Sequence, residues 1–474
     1  MRPIAILVAL SILRSIELPA QRPDSLSEEV RQYVALDTAV VALTNVMLVD
    51  GTGAEPRPGQ TVVIRDGRIA EVGPAGTVRV PAGVRTMDLG GHTVIPGIVG
   101  MHDHMFYTAA GGRAVQMSHT GPRLYLGSGV TTIRTTGGRA PYAEINLKGM
   151  IDRGLAPGPR IHLTAPYITG AEGGGSMAVV TSPEAARRFV AYWASEGATW
   201  VKAYTDIRRA DLGAAIKEAH KRGVKVTGHL CSVSFREAVA LGIDNLEHGM
   251  LTASDFDPAK QPDVCPIDQV GEMGQADPQG ETAKDVITTL VKRGVSMTST
   301  LAVYEPFVAN RPTKDARTLS AMAPELRETY LQIRHQIDSS GSGPVPEAGL
   351  RNAMAFEKAF VEAGGLLASG VDPTGMGGAL AGYGDQRNYE LFIEAGFTPA
   401  QAVKIMTANG ARILGVEKRL GTVERGKLAD LVVLSGDLTA DPAAIRRPTV
   451  VFKDGVGYDT AKLIASVEGR VGID

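Results

Sequence analysis

The chain has 474 residues, 44% of them hydrophobic and 21% charged, with a formal net charge of −2. That is enough apolar material for a sizeable core and a further small domain. A near-zero charge without a basic stripe excludes nucleic acid as an electrostatic partner, and two cysteines, Cys231 and Cys265, are too few for a disulfide framework.

At the N-terminus, Arg2 precedes an apolar run over residues 4–13, and Leu18-Pro19-Ala20 could end a signal peptide. This predicts a leader over residues 1–24 and export to the periplasm or medium; the alternative is an ordinary N-terminal helix in a cytoplasmic protein. Ten apolar residues are too few to span a bilayer. Between residues 41 and 95 short strands alternate with turns, and Asp66-Gly67 between apolar runs is a hairpin signal. The same style returns at 421–434 and 448–455. Residues 25–96 with 415–474 therefore read as one composite β domain, wrapped around a central domain at 97–414.

The central domain opens on Val94-Ile95-Pro96-Gly97-Ile98-Val99-Gly100-Met101-His102-Asp103-His104. Side chains two apart on a strand share a face, so His102 and His104 can project together toward one metal ion. Seven further apolar runs follow at 129–135, 160–167, 199–205, 225–230, 244–248, 295–301 and 366–372. Amphipathic stretches ending in glycine lie between them, at 184–197, 211–223, 235–242, 283–294 and 354–365. Eight strands alternating with helices predict an α/β fold of the (β/α)8 TIM-barrel type, whose catalytic groups gather at the carboxyl ends of the strands. Lys202, His229, His248 and Asp372 each lie at such an end. Imidazoles and carboxylates suit zinc and similar divalent ions. A lysine buried there loses the water that favours its charge, and its neutral amine can react with carbon dioxide. The plainer alternative for Lys202 is an ion pair with Glu247 or Asp206.

This order of residues resembles the amidohydrolase superfamily from about residue 41 to the end, and most closely its imidazolonepropionase-like and prolidase-like branch, with Xaa-Pro and Xaa-Arg dipeptidases and ochratoxinase-like amidases. The resemblance implies a barrel with a small β-sandwich built from both termini, and two divalent metal ions, Zn2+ the expected one. It assigns His102 and His104 to one ion, carboxylated Lys202 as the bridge, His229 and His248 to the second, and Asp372 to the first. Asp372 would also be the base for a metal-bridging hydroxide attacking an amide bond. The expected partner is a small-molecule amide or peptide, a dipeptide or N-acyl amino acid, and the expected assembly a homo-oligomer. Alternatives are hydrolysis of a cyclic amide, lactone or phosphotriester, a mononuclear deaminase, or a non-catalytic binding protein. Arg134-Thr135-Thr136 and Ala171-Glu172 depart from frequent family residues at the substrate rim, which weakens transfer of substrate identity.

Tyr167, Tyr204 and Arg139 lie near strand ends and are candidate substrate-binding residues. His119 reads as solvated or supporting, His162 as a core residue, and His92, His220 and His335 as surface residues. Cys231 reads as a buried apolar thiol. The glycine-rich loop at 168–175 lacks the phosphate-binding signatures. The polar stretch at 253–285 is a candidate lid.

Overall fold

In the computed structural model the described residues are 25–108, 113–174, 177–266, 274–311, 315–373 and 378–473. The expected leader, Gly175 and residues 267–273 of the candidate lid lie outside them. Asp66 and Gly67 turn back the hairpin between Arg57–Arg65 and Arg68–Pro74, with φ of 49° and 77°. Positive φ at both central residues matches the twist of the flanking strands. Asp454 and Gly455, at 52° and 80°, do the same between Pro448–Lys453 and Val456–Asp459. These hairpins belong to one nine-stranded sheet built from both ends of the chain. Leu431–Ser435 joins the two ends, pairing antiparallel with His92–Pro96 so that Val432 lies opposite Ile95. Val41, Leu43, Ile64, Leu431 and Phe452 form part of an apolar cluster against this sheet.

The central region contains the eight expected strands: β1 (Ile98–Asp103), β2 (Val130–Thr135), β3 (Arg160–His162, continued by Thr164–Thr169), β4 (Trp200–Ala203), β5 (Lys225–Gly228), β6 (Asn245–Glu247), β7 (Ser296–Ser299) and β8 (Leu367–Ser369). Successive strands pair in parallel, as their intervening helices require. This is a TIM-barrel-like α/β arrangement. β8 meets β1 through the amide of Asp372, which donates to the His102 carbonyl at 2.7 Å. The expected single third strand is split at Leu163. Its first half pairs with β2 and its second with β4, while the Thr164 amide donates to the Thr135 hydroxyl at 3.1 Å in place of a ladder bond.

Two sequence expectations need correction or refinement. Cys231 is not a free thiol: it is bonded to Cys265, 34 residues on, with the Cα atoms 4.9 Å apart. Two cysteines cannot make a framework, yet the turn after β5 and the loop after β6 are spatial neighbours because their strands are. The described part of the candidate lid is fastened rather than loose. Asp255 is buried and accepts from the Phe235 and Arg236 amides, and Asp263 accepts from the Arg209 amide. Among the described residues no helix is long and apolar enough to cross a membrane.

Candidate metal centre

Strand alternation sends His102 into the cavity at the carboxyl ends of the strands and Asp103 the other way, where its Oδ1 accepts from the Val371 amide at 3.3 Å. His104 continues the inward face. Between β8 and β1 the approach is too close for any side chain: a Cβ on Gly370 would lie 2.1 Å from the His102 nitrogen. That proximity brings Asp372 to the two histidines. Asp372 Oδ1 lies 3.1 Å from His104 Nε2 and 3.6 Å from His102 Nε2, and one donor atom from each of the three falls within 4.8 Å of the others.

Lys202, on β4, is 1% exposed, with Nζ 2.8 Å from His102 Nε2. Among the described residues it forms no ion pair with Glu247 or Asp206; its ammonium instead lies 5.3 and 5.9 Å from the rings of Tyr167 and Tyr204. His229 and His248 follow β5 and β6, with ring centroids 4.3 Å apart, and the His248 ring is 4.5 Å from that of His102. All six expected ligand residues are thus brought into one cluster.

Three of the imidazoles are held from behind. His102 Nδ1 is 2.8 Å from Glu247 Oε2, His104 Nδ1 is 3.1 Å from the Gly137 carbonyl, and His248 Nδ1 is 2.7 Å from the Thr300 hydroxyl. In each, Nε2 is the nitrogen left to face the cluster. His248 Nε2 is buried without a hydrogen-bond partner, 3.8 Å from Asp372 Oδ2. A buried, unpartnered acceptor costs free energy, and this arrangement of outward Nδ1 donors and inward Nε2 lone pairs is how histidines are oriented for metals. The donor set therefore fits divalent cations.

The electrostatics agree. Burial drives the imidazoles toward the neutral form that binds metals, lowering His104 to about 4 and His229 to about 3, and shifting His102 and His248 downward as well. Burial also pulls the Lys202 ammonium down to about 8, against the opposing pull of Asp372 and Glu247. For Asp372, burial works toward the neutral acid, but His102 and His104 outweigh it and keep it well below the usual carboxylate range.

At the mouth, Tyr167 reaches the His104 ring with its hydroxyl at 3.4 Å, and Tyr204 stacks beside His229 at 4.7 Å. Arg139 lies farther out, its guanidinium 4.9 Å from the Phe106 ring. His119 is bonded by Arg470 at 3.2 Å, away from the cluster, and His162 is a half-buried strand residue whose Nε2 has no partner. Thr300 and Tyr304, the latter with its ring 5.5 Å from that of His248, had no assigned role from sequence, while Arg134, expected at the substrate rim, and Glu247, expected at most as an ion-pair partner of Lys202, are instead fully buried and paired with each other. Glu247 and Asn245 carried a usable signal, since polar residues at alternate positions of a parallel strand must face the barrel interior.

Comparison with known proteins extends this reading. A prolidase candidate from Bifidobacterium longum superposes over 90% of this chain and 98% of its own, with a TM-score of 0.63 and 26% identity. The ochratoxinase of A. niger shares the fold over 88% of this chain and 94% of its own, at a TM-score of 0.62 and 17% identity. Over 103 residues the chain is 37% identical to a 5-methylthioadenosine/S-adenosylhomocysteine deaminase from Moorella thermoacetica, a stretch covering 20% of this chain and 24% of that protein. The chain thus matches about a quarter of that curated relative's length. Residues 93–457, spanning every strand and side chain of the cluster, match the amidohydrolase family, and the chain belongs to that family.

Proposed function

We propose that this amidohydrolase is a metal-dependent enzyme that hydrolyses the amide bond of a dipeptide or N-acyl amino acid. Two divalent cations, Zn2+ the preferred ion, would be held by His102, His104, Lys202, His229, His248 and Asp372. When bound, such a pair supplies a Lewis acid for the scissile carbonyl and brings the pKa of water from 15.7 toward about 7. The observation that carries the reading is the convergence of three buried imidazoles, His102, His104 and His248, each with Nδ1 bonded outward, and the half-buried His229 on Lys202 and Asp372.

Lys202 serves in this reading as its carbamate. Its neutral amine adds to carbon dioxide and releases a proton, leaving an anionic bidentate ligand, and burial favours the neutral amine. Asp372, ionised beside the reacting water, takes the water's proton and returns it to the leaving nitrogen. Tyr167, Tyr204 and Arg139 bind the substrate at the mouth, the guanidinium suiting a carboxylate. The composite sheet, residues 25–96 with 415–474, is a supporting domain for the catalytic unit at 97–414. Export is favoured by the Cys231–Cys265 disulfide, a bond typical of oxidising compartments, and the working form is a homo-oligomer.

The test is a metal-replete screen against dipeptides and N-acyl amino acids, with elemental analysis of the same sample. Two metals per chain with amide hydrolysis, both lost in Lys202→Ala, is the expected result. One metal per chain, retained in Lys202→Ala and accompanied by ammonia release from purines, would favour the second reading, a deaminase, which the 103-residue match motivates. Lactone, cyclic amide and phosphotriester panels rank the remaining hydrolase chemistries.

A further inference from the structure

Glu247 lies beneath the cluster, fully buried on β6. Its two carboxylate oxygens have separate partners. Oε1 is 2.5 Å from Arg134 Nη2 and 3.1 Å from Asn245 Nδ2, and it also accepts from the Thr227 hydroxyl. Oε2 is 2.8 Å from His102 Nδ1. Arg134 is itself fully buried on β2, its guanidinium 4.5 Å from the Trp200 ring and donating to the Met101 carbonyl. β2, β5 and β6 thus contribute one polar layer under the cluster, and His102 is its contact with the ligand set.

A buried arginine needs a counter-charge, and Glu247 could be no more than that. The division by atom argues otherwise. Arg134, Asn245 and Thr227 all crowd onto Oε1, which leaves Oε2 for His102. A carboxylate oxygen only accepts, so the His102 proton must sit on Nδ1 and the Nε2 lone pair must face Lys202 and Asp372.

We propose that Glu247 is a positioning residue for the metal centre: anchored through Oε1 by Arg134, it fixes the tautomer and orientation of His102 through Oε2. This rests on the metal-dependent reading above. Glutamine at 247 cannot replace both functions, because its one carbonyl oxygen is claimed by Arg134. Its amide NH2 then faces His102 Nδ1 and drives the ring proton to Nε2.

The experiment compares wild type with Glu247→Gln. Zn2+ affinity is measured by chelator competition, and unfolding of the metal-free proteins is followed by circular dichroism. The expected result is a Zn2+ affinity weaker by about 10–100-fold in a variant that still folds. Equal affinity in wild type and variant, whatever the change in melting temperature, would leave Glu247 as a structural counter-charge and overturn the proposal. If the variant does not fold, the tautomer of His102 in metal-free, histidine-15N-labelled wild type decides, with the signal assigned by its loss in His102→Gln. A proton on Nδ1 supports the proposal and a proton on Nε2 overturns it. Failure of wild type to bind any divalent metal is a different outcome, which removes the functional reading itself.

Discussion

His248 and Asp372 both hold left-handed backbone conformations, with φ of 67° and 49°. Histidine and aspartate tolerate this region better than most residues, and such strain at about 1–3 kcal/mol each persists where the surroundings fix it, often at functional sites. Asparagine tolerates the same backbone, so Asp372→Asn should keep the fold while removing the carboxylate proposed as the proton carrier. We expect kcat to fall by about 10²–10⁴-fold with the circular dichroism spectrum unchanged; activity equal to wild type would remove Asp372 from the chemistry. Glu357 gives a stability prediction at the same scale. It is 1% exposed, and burial pushes its carboxyl up to about 8 from 4.5. Below pH 4.5 the group is protonated in both the folded and unfolded states. Between 4.5 and 8 only the unfolded chain releases the proton freely, so the folded state loses stability as pH rises. Glu357→Gln removes that titration, and its melting temperature relative to wild type should climb from pH 5 to pH 8.

The Cys231–Cys265 bond ties the turn after β5 to the loop after β6. Cys231 is two residues from His229, so the bond anchors the segment that presents a candidate ligand. Closing a loop with a sequence separation of 34 is worth about 3–4 kcal/mol in the chain-entropy account. Reductant should lower the melting temperature of wild type to that of the Cys231→Ser/Cys265→Ser double variant, which should itself be insensitive to reductant. A wild-type melting temperature unaffected by complete reduction would show that the strand packing holds these loops unaided.

Across the whole molecule, Arg160 couples the central strands to the terminal sheet. From the start of β3 its guanidinium reaches Asp430 at 2.9 Å and Asp454 at 2.7 Å. Both aspartates are buried, so Arg160→Ala takes away the ion-pair partner of Asp430 and leaves Asp454 with Lys453 alone, at 3.7 Å, a loss of about 3–5 kcal/mol. Burial tends to raise Asp454, but the nearby cations, Arg160 first and then Lys453, outweigh it and hold this carboxyl below its ordinary value. Its contribution is present above the unfolded pKa and lost as pH falls through the folded one. The melting-temperature gap between wild type and Arg160→Ala should therefore be wide at pH 7 and narrow as the pH drops below about 4. A gap independent of pH would mean that the guanidinium acts through packing alone.

The eight strands and the helices ending at Gly242 and Gly294 were legible along the chain because they are local: period-two runs and left-handed stops are set by near neighbours. His102, His104, Lys202, His229, His248 and Asp372 were legible for a related reason, since alternation and the parallel fold together fix which residues stand at the strand ends. The Asp66-Gly67 hairpin was equally local. What lies between elements was decided only by the tertiary structure. The break of β3 at Leu163, the Cys231–Cys265 bond and the hydrogen bonds of Glu247 to His102 and Arg134 depend on distances between segments up to 145 residues apart. Sequence sets the direction in which each side chain leaves its own strand, whereas partner choice follows from how neighbouring strands pack, and packing is a property of the whole chain at once.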